Sequence, residues 1–506
     1  MKKLLLFIIC ISVFISFADT QENNTFREIY LHFEGRIQDI VFGDYNGDGL
    51  TDILITSIDF SYETPARLLN IFFQKKEVGF QEKPDQILQI SRNAAALIIG
   101  SFSNNKNTRQ ICFLASDGLY FYPIKNQELS KEPKKLLHTQ TSFEMPPKDS
   151  IPLWMIAEDL DGNGLDDIII PDLQGYKVYM QTECGKFGKI SHLNLPPETF
   201  ADTSLTTAVF ANRCTLFPHF FITYINDDKR KDIVLVQNGI LYCFIQKNDG
   251  TFTSDIDSPP NIKAQPPILN TDARKDVVSI STINFCDTNH DGIADLIVTN
   301  VKGQLGIWES IETKVSIFFG AGDGRFITPD AIVEIKGVSI NPEFIDVNGD
   351  GIDDIVVSCL RTDLIDLAKS YLLGADITYY IYTYDRKVGN YVESGKTRGA
   401  SFSQNMHISI KDVEKSGIGS IPLIYFRADH NGDGKIDMVS LDPNGVLDIK
   451  LGCPNRDEII FTRDSYYKVK LKERPNSLMM LDVNNDSRSD IFLVYKDKLG
   501  ILLSNK

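Results

Sequence analysis

The chain has 506 residues, of which 42% are hydrophobic and 24% charged, and its formal net charge is −16. That composition belongs to a folded globular protein, long enough for several domains or one large repeat array. The acidic surplus argues against nucleic acid or anionic membrane as a partner, since both are bound through basic surfaces.

The first element is a leader. Lys2 and Lys3 precede an apolar run from Leu4 to Phe17, and Ser16 to Ala18 supply the small residues a signal peptidase needs. A secretory signal peptide is expected over 1–18, with the mature chain starting at about Asp19 and destined for secretion, the periplasm or the cell surface. Cys10 follows Ile9, not the small residue of a lipoprotein signal. No later stretch approaches the ~20 apolar residues of a membrane span, so no membrane insertion is expected. Loss of the two leader lysines takes the charge from −16 to −18.

An acidic motif then recurs along the chain. It begins at Asp44 (DYNGDGLTD), Asp159 (DLDGNGLDD), Asp287 (DTNHDGIAD), Asp346 (DVNGDGIDD), Asp429 (DHNGDGKID) and Asp482 (DVNNDSRSD). A degenerate copy starts at Tyr224 (YINDDKRKD), and an eroded one without acids starts at Ser101. These eight starts are 53 to 83 residues apart. An apolar segment enters each motif and a strand-like run leaves it, such as the run after Asp354. A third strand ends in a glycine-containing turn and an aromatic residue, as in CFIQKNDGTF, and a fourth, more polar strand follows. Four short strands per unit, repeated at this period, describe a propeller blade. The chain stops at GILLSNK, a third strand lacking its successor, while ENNTFREIYLHF near the mature N-terminus has the form of the missing fourth. Pairing of those two ends would close the ring and leave no open edge. The fold expected is therefore all-β: a single eight-bladed β-propeller over 19–506, seven blades being the alternative. One insertion, at about 361–376, places Leu364, Leu367, Leu372 and Leu373 on one face of a short helix.

The motif offers oxygen donors at positions 1, 3, 5 and 9. These are Asp44, Asn46, Asp48 and Asp52; Asp159, Asp161, Asn163 and Asp167; Asp287, Asn289, Asp291 and Asp295; Asp346, Asn348, Asp350 and Asp354; Asp429, Asn431, Asp433 and Asp437; and Asp482, Asn484, Asp486 and Asp490. Calcium takes six to eight oxygens, which three side chains, a backbone carbonyl and a bidentate final carboxylate can supply. Glycine at position 6, such as Gly49 or Gly351, suits a sharp turn of positive φ. An EF-hand is excluded, because its acid at position 12 is replaced here by Ile55, Ile170, Val298, Val357, Ser440 or Leu493. Magnesium retains water and rarely takes such an all-protein cage. The competing reading of any one copy is a polar turn whose Asp and Asn side chains cap the local backbone. Six copies in register favour calcium, at five to six sites. The Asp482 copy, with Ser487 in place of glycine, is the weakest of them, and the Tyr224 and Ser101 copies are expected to bind none.

These loops, together with FFGAGDGRF from Phe318, resemble the FG-GAP and VCBS repeats of integrin α-subunit propellers and many secreted bacterial proteins. The resemblance spans essentially the whole mature chain and implies calcium held within blades on the positions named above. The chain departs from the integrin pattern in its two degenerate loops and its eight units. The family is functionally mixed and implies a scaffold more firmly than a task.

Other chemistry is sparse. There is no H-E-x-x-H, G-x-S-x-G or phosphate-cradling loop, and the histidines are dispersed, with His290 and His430 at variable loop positions. Trp154 and Trp308 read as core residues. Cys112, Cys184, Cys214, Cys243, Cys286, Cys359 and Cys453 show no framework spacing, and Cys112, Cys243 and Cys359 read as small apolar strand residues. Asn23 and Asn485 lie in glycosylation sequons. The functional expectation is a monomeric calcium-binding propeller serving as an extracellular adhesion or interaction scaffold for a protein or carbohydrate ligand. A calcium-dependent polysaccharide lyase or hydrolase is one alternative, and a structural subunit of an envelope complex is another.

Overall fold

The structure is a computed structural model. It describes residues 25–505 except 77, 103–107, 143–148, 155–156, 173, 203–211, 254–276, 305–306, 340–341, 362–374, 394–402, 409–422 and 454–460. The expected leader and nearly all of the expected insertion helix lie outside the described residues. So do Asn23 and the side chains of Cys214 and Trp308.

Eight antiparallel sheets follow one another around a closed ring. Blade 1 runs Arg36–Gly43, Asp52–Asp59, Ala66–Phe72 and Gln86–Gln89 in spatial as well as chain order. Blade 2, the eroded repeat, has the same plan, with Ala96–Gly100, Gln110–Ala115, Gly118–Phe121 and Lys134–His138. Blade 3 runs Ala157–Glu158, Asp167–Asp172, Gly175–Glu183 and Lys186–Leu193, and blade 4 shows three strands among the described residues: His219–Thr223, Asp232–Gln237 and Ile240–Phe244. Blade 5 runs Val277–Cys286, Asp295–Gln304, Ile307–Phe318 and Ala331–Lys336, and blade 6 opens with Glu343–Ile345 and Asp354–Arg361. Blade 7 runs Leu423–Ala428, Asp437–Leu441, Val446–Lys450 and Tyr467–Lys470, and blade 8 opens with Ser477–Leu481 and Asp490–Val494. Blade 6 fills its outer edge with two segments, Asn390–Glu393 and Ser403–Ile408, both paired to the long strand Ala375–Asp385. All described elements are strands, turns or bends, and no helix among them is long and apolar enough to cross a membrane.

The ring closes as the two chain ends suggest. Phe26–His32 pairs antiparallel with Lys498–Ser504, from Phe26 opposite Ser504 to His32 opposite Lys498, and completes blade 8. Phe26, the aromatic of NTF, is buried and meets Tyr467 of blade 7 edge-on at 4.9 Å.

The period-2 alternation of a strand explains how each blade is held. Successive side chains on a second strand face opposite neighbours, and every neighbour here is another blade, so the strand is apolar on both faces. Asp52–Asp59 is buried from Asp52 to Ser57 and onward through Ile58. Ile53 and Ile55 pack with Leu31, Phe492 and Ile501 of blade 8, whereas Leu54 packs with Leu97, Ile111 and Phe113 of blade 2. The pattern repeats at blade 5, where Ile297 joins Ile355 and Val357 of blade 6 while Leu296 and Val298 join Val234 and Val236 of blade 4. One hydrophobic cluster thus lies between each pair of adjacent blades, including blades 8 and 1, and the core is distributed around the ring.

Candidate metal sites

Every acidic motif joins the first strand of its blade to the second, so all of them lie at one end of the ring. Position 9 opens the second strand. Asp52, Asp167, Asp295, Asp354, Asp437 and Asp490 are all buried, and so is Asp232 of the degenerate loop. One carboxylate oxygen of each accepts the backbone N–H of position 2: Tyr45 to Asp52 at 2.9 Å, Leu160 to Asp167 at 2.9 Å, Val347 to Asp354 at 3.0 Å and His430 to Asp437 at 2.8 Å. In most blades the other oxygen accepts an N–H at the exit of the third strand, from Gln74, Gln181, Gln246, Gly320, Gly452 or Ser504. The aspartate therefore ties three segments of a blade together before any ion is considered.

The remaining donors cap the turn. In blade 6, Asp346 accepts the N–H groups of Gly349 at 2.6 Å and Gly351 at 2.9 Å. Asn348 accepts from Asp350 at 2.8 Å, and Asp350 accepts from Ile352 at 2.9 Å. Blades 5, 7 and 8 repeat this network on Asp287, Asn289 and Asp291, on Asp429, Asn431 and Asp433, and on Asp482, Asn484 and Asp486. Blade 1 does so on Asp44, Asn46 and Asp48. Position 6 has positive φ throughout, at Gly49, Gly164, Gly292, Gly351 and Gly434, and also at Ser487 and Lys229. Position 4 has it as well, at Gly47, Gly162, His290, Gly349, Gly432 and Asn485, a second left-handed residue that sequence reasoning missed.

Burial acts on the position-9 carboxyls. It pushes Asp52 and Asp167 up to about 7, Asp354 up to about 8, and Asp437 and Asp490 up to about 6, from an ordinary value of 3.8. Asp295 is raised for the same reason, and neighbouring loop carboxylates add to the effect at each. The backbone hydrogen bonds oppose it without cancelling it. Among the described residues no basic side chain pairs with any of these six aspartates. A hard cation would relieve that repulsion, and an all-oxygen donor set on a tight turn fits calcium. In blade 3 the donors already converge, with one oxygen each of Asp159, Asp161 and Asp167 within 4.8 Å of one another. Asn163 there turns instead to the carbonyl of Gln181 at 2.8 Å.

The loops also join one another. The residue before position 9 donates its N–H to the start of the preceding blade's loop, as from Asp166 to Ser101 at 3.3 Å, Ala294 to Tyr224 at 2.8 Å, Asp353 to Thr288 at 2.7 Å and Ser489 to Asp429 at 2.7 Å. Glutamine side chains make further links: Gln74 to the carbonyl of Val483, Gln181 to Ser101 and Gln246 to Leu160, each at 3.1 Å. The glutamine that closes the third strand in three blades was a visible recurrence whose role appears only in three dimensions. Asp166 and Asp353, acids at position 8, belong to this belt. Asp166 takes Arg109 of blade 2 at 2.6 Å, and Asp353 takes the ring of His290 at 3.0 Å.

Residues 287–357, the blade-5 loop through the second strand of blade 6, match the family described as FG-GAP-like repeat. An FG-GAP-like repeat match thus sits within an eight-bladed β-propeller. The aromatic that follows the glycine turn is buried in several blades, at Phe80, Phe252, Phe326 and Tyr391. No curated protein sequence matches the chain. Solved structures similar to the propeller include an Agrocybe aegerita lectin described as recognising non-reducing terminal N-acetylglucosamine, at 14% identity and a TM-score of 0.41, covering 85% of this chain and 92% of that one. Chaetomium thermophilum Sqt1 bound to the N-terminus of ribosomal protein L10 is similar at 8% identity and a TM-score of 0.41, covering 96% and 100%. BBS1N in complex with ARL6DN is similar at 9% identity and a TM-score of 0.35, covering 95% and 98%.

Trp154 is half-buried, donates its indole N–H to the carbonyl of Ile169 at 2.9 Å and meets Phe217 edge-on, so it joins blade 3 to blade 4. Cys112 and Cys359 are fully buried in second strands, and Cys243 lies in a third.

Proposed function

We propose that this FG-GAP propeller is a secreted, calcium-stabilised scaffold that presents its ring surface to an extracellular protein or carbohydrate, in adhesion or assembly. The observation that carries the calcium reading is the set of six buried aspartates, each beside further loop acids and, among the described residues, without a basic partner. Positions 1, 3, 5 and 9 of each intact loop would hold the ion, which supplies positive charge where the blade's first hairpin meets its third strand. With Kd of about 0.1 mM and calcium at about 2 mM, one site adds roughly 1.8 kcal/mol to the stability of its blade. The binding role rests on architecture: a ring whose core lies between blades keeps its loop ends free for recognition.

Thermal unfolding of residues 19–506, with calcium titrated against a chelator and magnesium as control, tests the first part. A large calcium-selective rise in Tm, with five to six ions bound at equilibrium dialysis, is expected. Equal behaviour in calcium, magnesium and chelator would overturn it. Binding of the calcium-loaded ring to matrix proteins and glycans tests the second part, and turnover of a polyuronide in the same assay would replace the scaffold reading with an enzymatic one.

A further inference from the structure

The degenerate loop of blade 4 lacks its first carboxylate, which is Tyr224, yet it folds as the others do. Asp232 is buried and accepts the N–H groups of Ile225 at 3.3 Å and Gln246 at 2.8 Å. Asp228 accepts from Arg230 at 2.9 Å, and Lys229 takes the left-handed φ of 60° that glycine supplies elsewhere. The difference lies in what position 7 does: Lys435 of blade 7 lies 3.7 Å from the position-5 carboxylate of Asp433 and Arg488 of blade 8 donates to the carbonyl of Asn505 at 2.8 Å, each making one of the two contacts that Arg230 combines. Leu50, Ile293 and Ile352 give that position only an amide, donated to position 5. Arg230 gives the same amide and then folds its guanidinium back onto the same carboxylate, Nη2 to Asp228 Oδ2 at 2.5 Å. Its Nε donates to the carbonyl of Gln246 at 3.2 Å, and Gln246 is the residue whose N–H holds Asp232. One cationic side chain therefore bridges the loop to the exit of the third strand. In blade 3 that junction is made by neutral Asn163, and in blade 8 by Ser504 on Asp486 together with Arg488 on the carbonyl of Asn505.

The neighbouring bases point the same way. Lys231 reaches back to the carbonyl of Asp159 at 3.2 Å and to the Glu158 carboxylate. Arg109, from the eroded blade 2, pairs with Asp166. The two repeats short of acids both carry bases that are turned into the belt of loops.

We propose that Arg230 is a built-in cation that takes the place of a divalent ion in the blade-4 loop, holding that hairpin closed in calcium-free conditions in which blades with intact loops loosen. The contrast with the other blades rests on the calcium reading above; the role of Arg230 in blade 4 does not.

Hydrogen exchange on the full mature chain, in chelator and in calcium, tests this on the wild type, Arg230→Met and Tyr224→Asp with Arg230→Met. In wild-type chelator samples, Asp232–Gln237 should exchange about tenfold more slowly than Asp354–Arg361. Calcium should slow Asp354–Arg361 and leave Asp232–Gln237 unchanged. Arg230→Met should speed exchange in blade 4 about tenfold in chelator, with no rescue by calcium. The double variant should be rescued by calcium and bind one more calcium equivalent by titration calorimetry. Should Arg230→Met not fold, Arg230→Lys, which keeps the charge but loses the Nε bond, should give protection between those of wild type and a neutral residue. Unchanged blade-4 exchange in Arg230→Met or Arg230→Lys would overturn the proposal, as would calcium protection of blade 4 in the wild type. If calcium protects no wild-type blade while Arg230→Met still loosens blade 4, the calcium reading fails and the role of Arg230 stands.

Discussion

Blade 4 and blade 6 build their first connection on the same turn, but only blade 4 sets a base against the loop's acids. Both place a buried aspartate at position 9, accept the position-2 amide on it and put a left-handed residue at position 6. Around Asp354 stand Asp346 and Asp350, which raise its pKa further; around Asp232, which burial and Asp228 raise to about 6, stands Arg230, which partly offsets them. Backbone hydrogen bonds to a buried carboxylate therefore shape the loop, and the cation settles its charge. The two requirements are separable, and repeats could lose acids one at a time without losing the blade.

The largest effect should come from removing the shared element. Asp354→Ala strands the amides of Val347 and Asn348, and Asp232→Ala strands those of Ile225 and Gln246. Each unmade buried hydrogen bond costs about 1–3 kcal/mol, so either variant should lose roughly 3 kcal/mol in chelator. Calcium should widen the deficit of Asp354→Ala by roughly 1.8 kcal/mol and leave that of Asp232→Ala unchanged. Melting curves of both variants in both buffers check this, and equal calcium dependence would break the contrast.

The pH dependence sharpens it. Burial raises the position-9 carboxyls above the ordinary 3.8, to about 7 at Asp52, about 8 at Asp354 and about 6 at Asp437 and Asp490, so the folded state binds more protons across that interval. The stability they contribute is fully present below about pH 4 and is lost as pH rises through 6 to 8. In chelator the protein should melt several degrees lower at pH 8 than at pH 5.5. Calcium, which favours the ionised carboxylates, should flatten or reverse that slope. Asp354→Asn should reduce it in chelator more than Asp232→Asn does, because Asp354 is shifted further.

Most of the ring was legible in the sequence. The second strands carry apolar residues on both faces because they face a blade on both sides, and that run directly after Asp52 or Asp354 marked each unit. The closing strand could be read because NTF repeats the aromatic turn of other blades, and Phe26 is buried accordingly. What could not be read joins residues with no fixed spacing. Gln74 reaches Val483 across 409 positions of chain, and Lys231 reaches Asp159 from the next blade. Arg230 was visible only as one base in a run of three, since nothing local says that its side chain turns inward.

A smaller test concerns the ligands that only cap the turn. Asp346 and Asp350 accept amides that are exposed or half-buried, which water can satisfy when the carboxylates are removed. Asp346→Ala with Asp350→Ala should therefore cost about 1 kcal/mol or less in chelator but abolish the calcium increment of that blade, roughly 1.8 kcal/mol. Comparing its melting curves with those of Asp354→Ala separates the carboxylates proposed to hold the ion from the one that also holds the turn.

The smallest effect concerns the backbone itself. Ser487 and Lys229 hold φ values of 66° and 60° at the position where Gly351 and Gly434 hold 83° and 77°. A left-handed conformation costs an L-residue about 1–2 kcal/mol, whereas glycine brings roughly 0.5–1 kcal/mol of extra entropy loss on folding. Ser487→Gly and Lys229→Gly should each gain no more than about 1 kcal/mol in chelator. In calcium the two should diverge. Ser487→Gly restores the intact motif in blade 8, so calcium should raise its Tm further, whereas Lys229→Gly leaves Arg230 in place and should gain nothing more. A calcium-dependent gain in Lys229→Gly would mean that the blade-4 loop binds the ion despite its arginine.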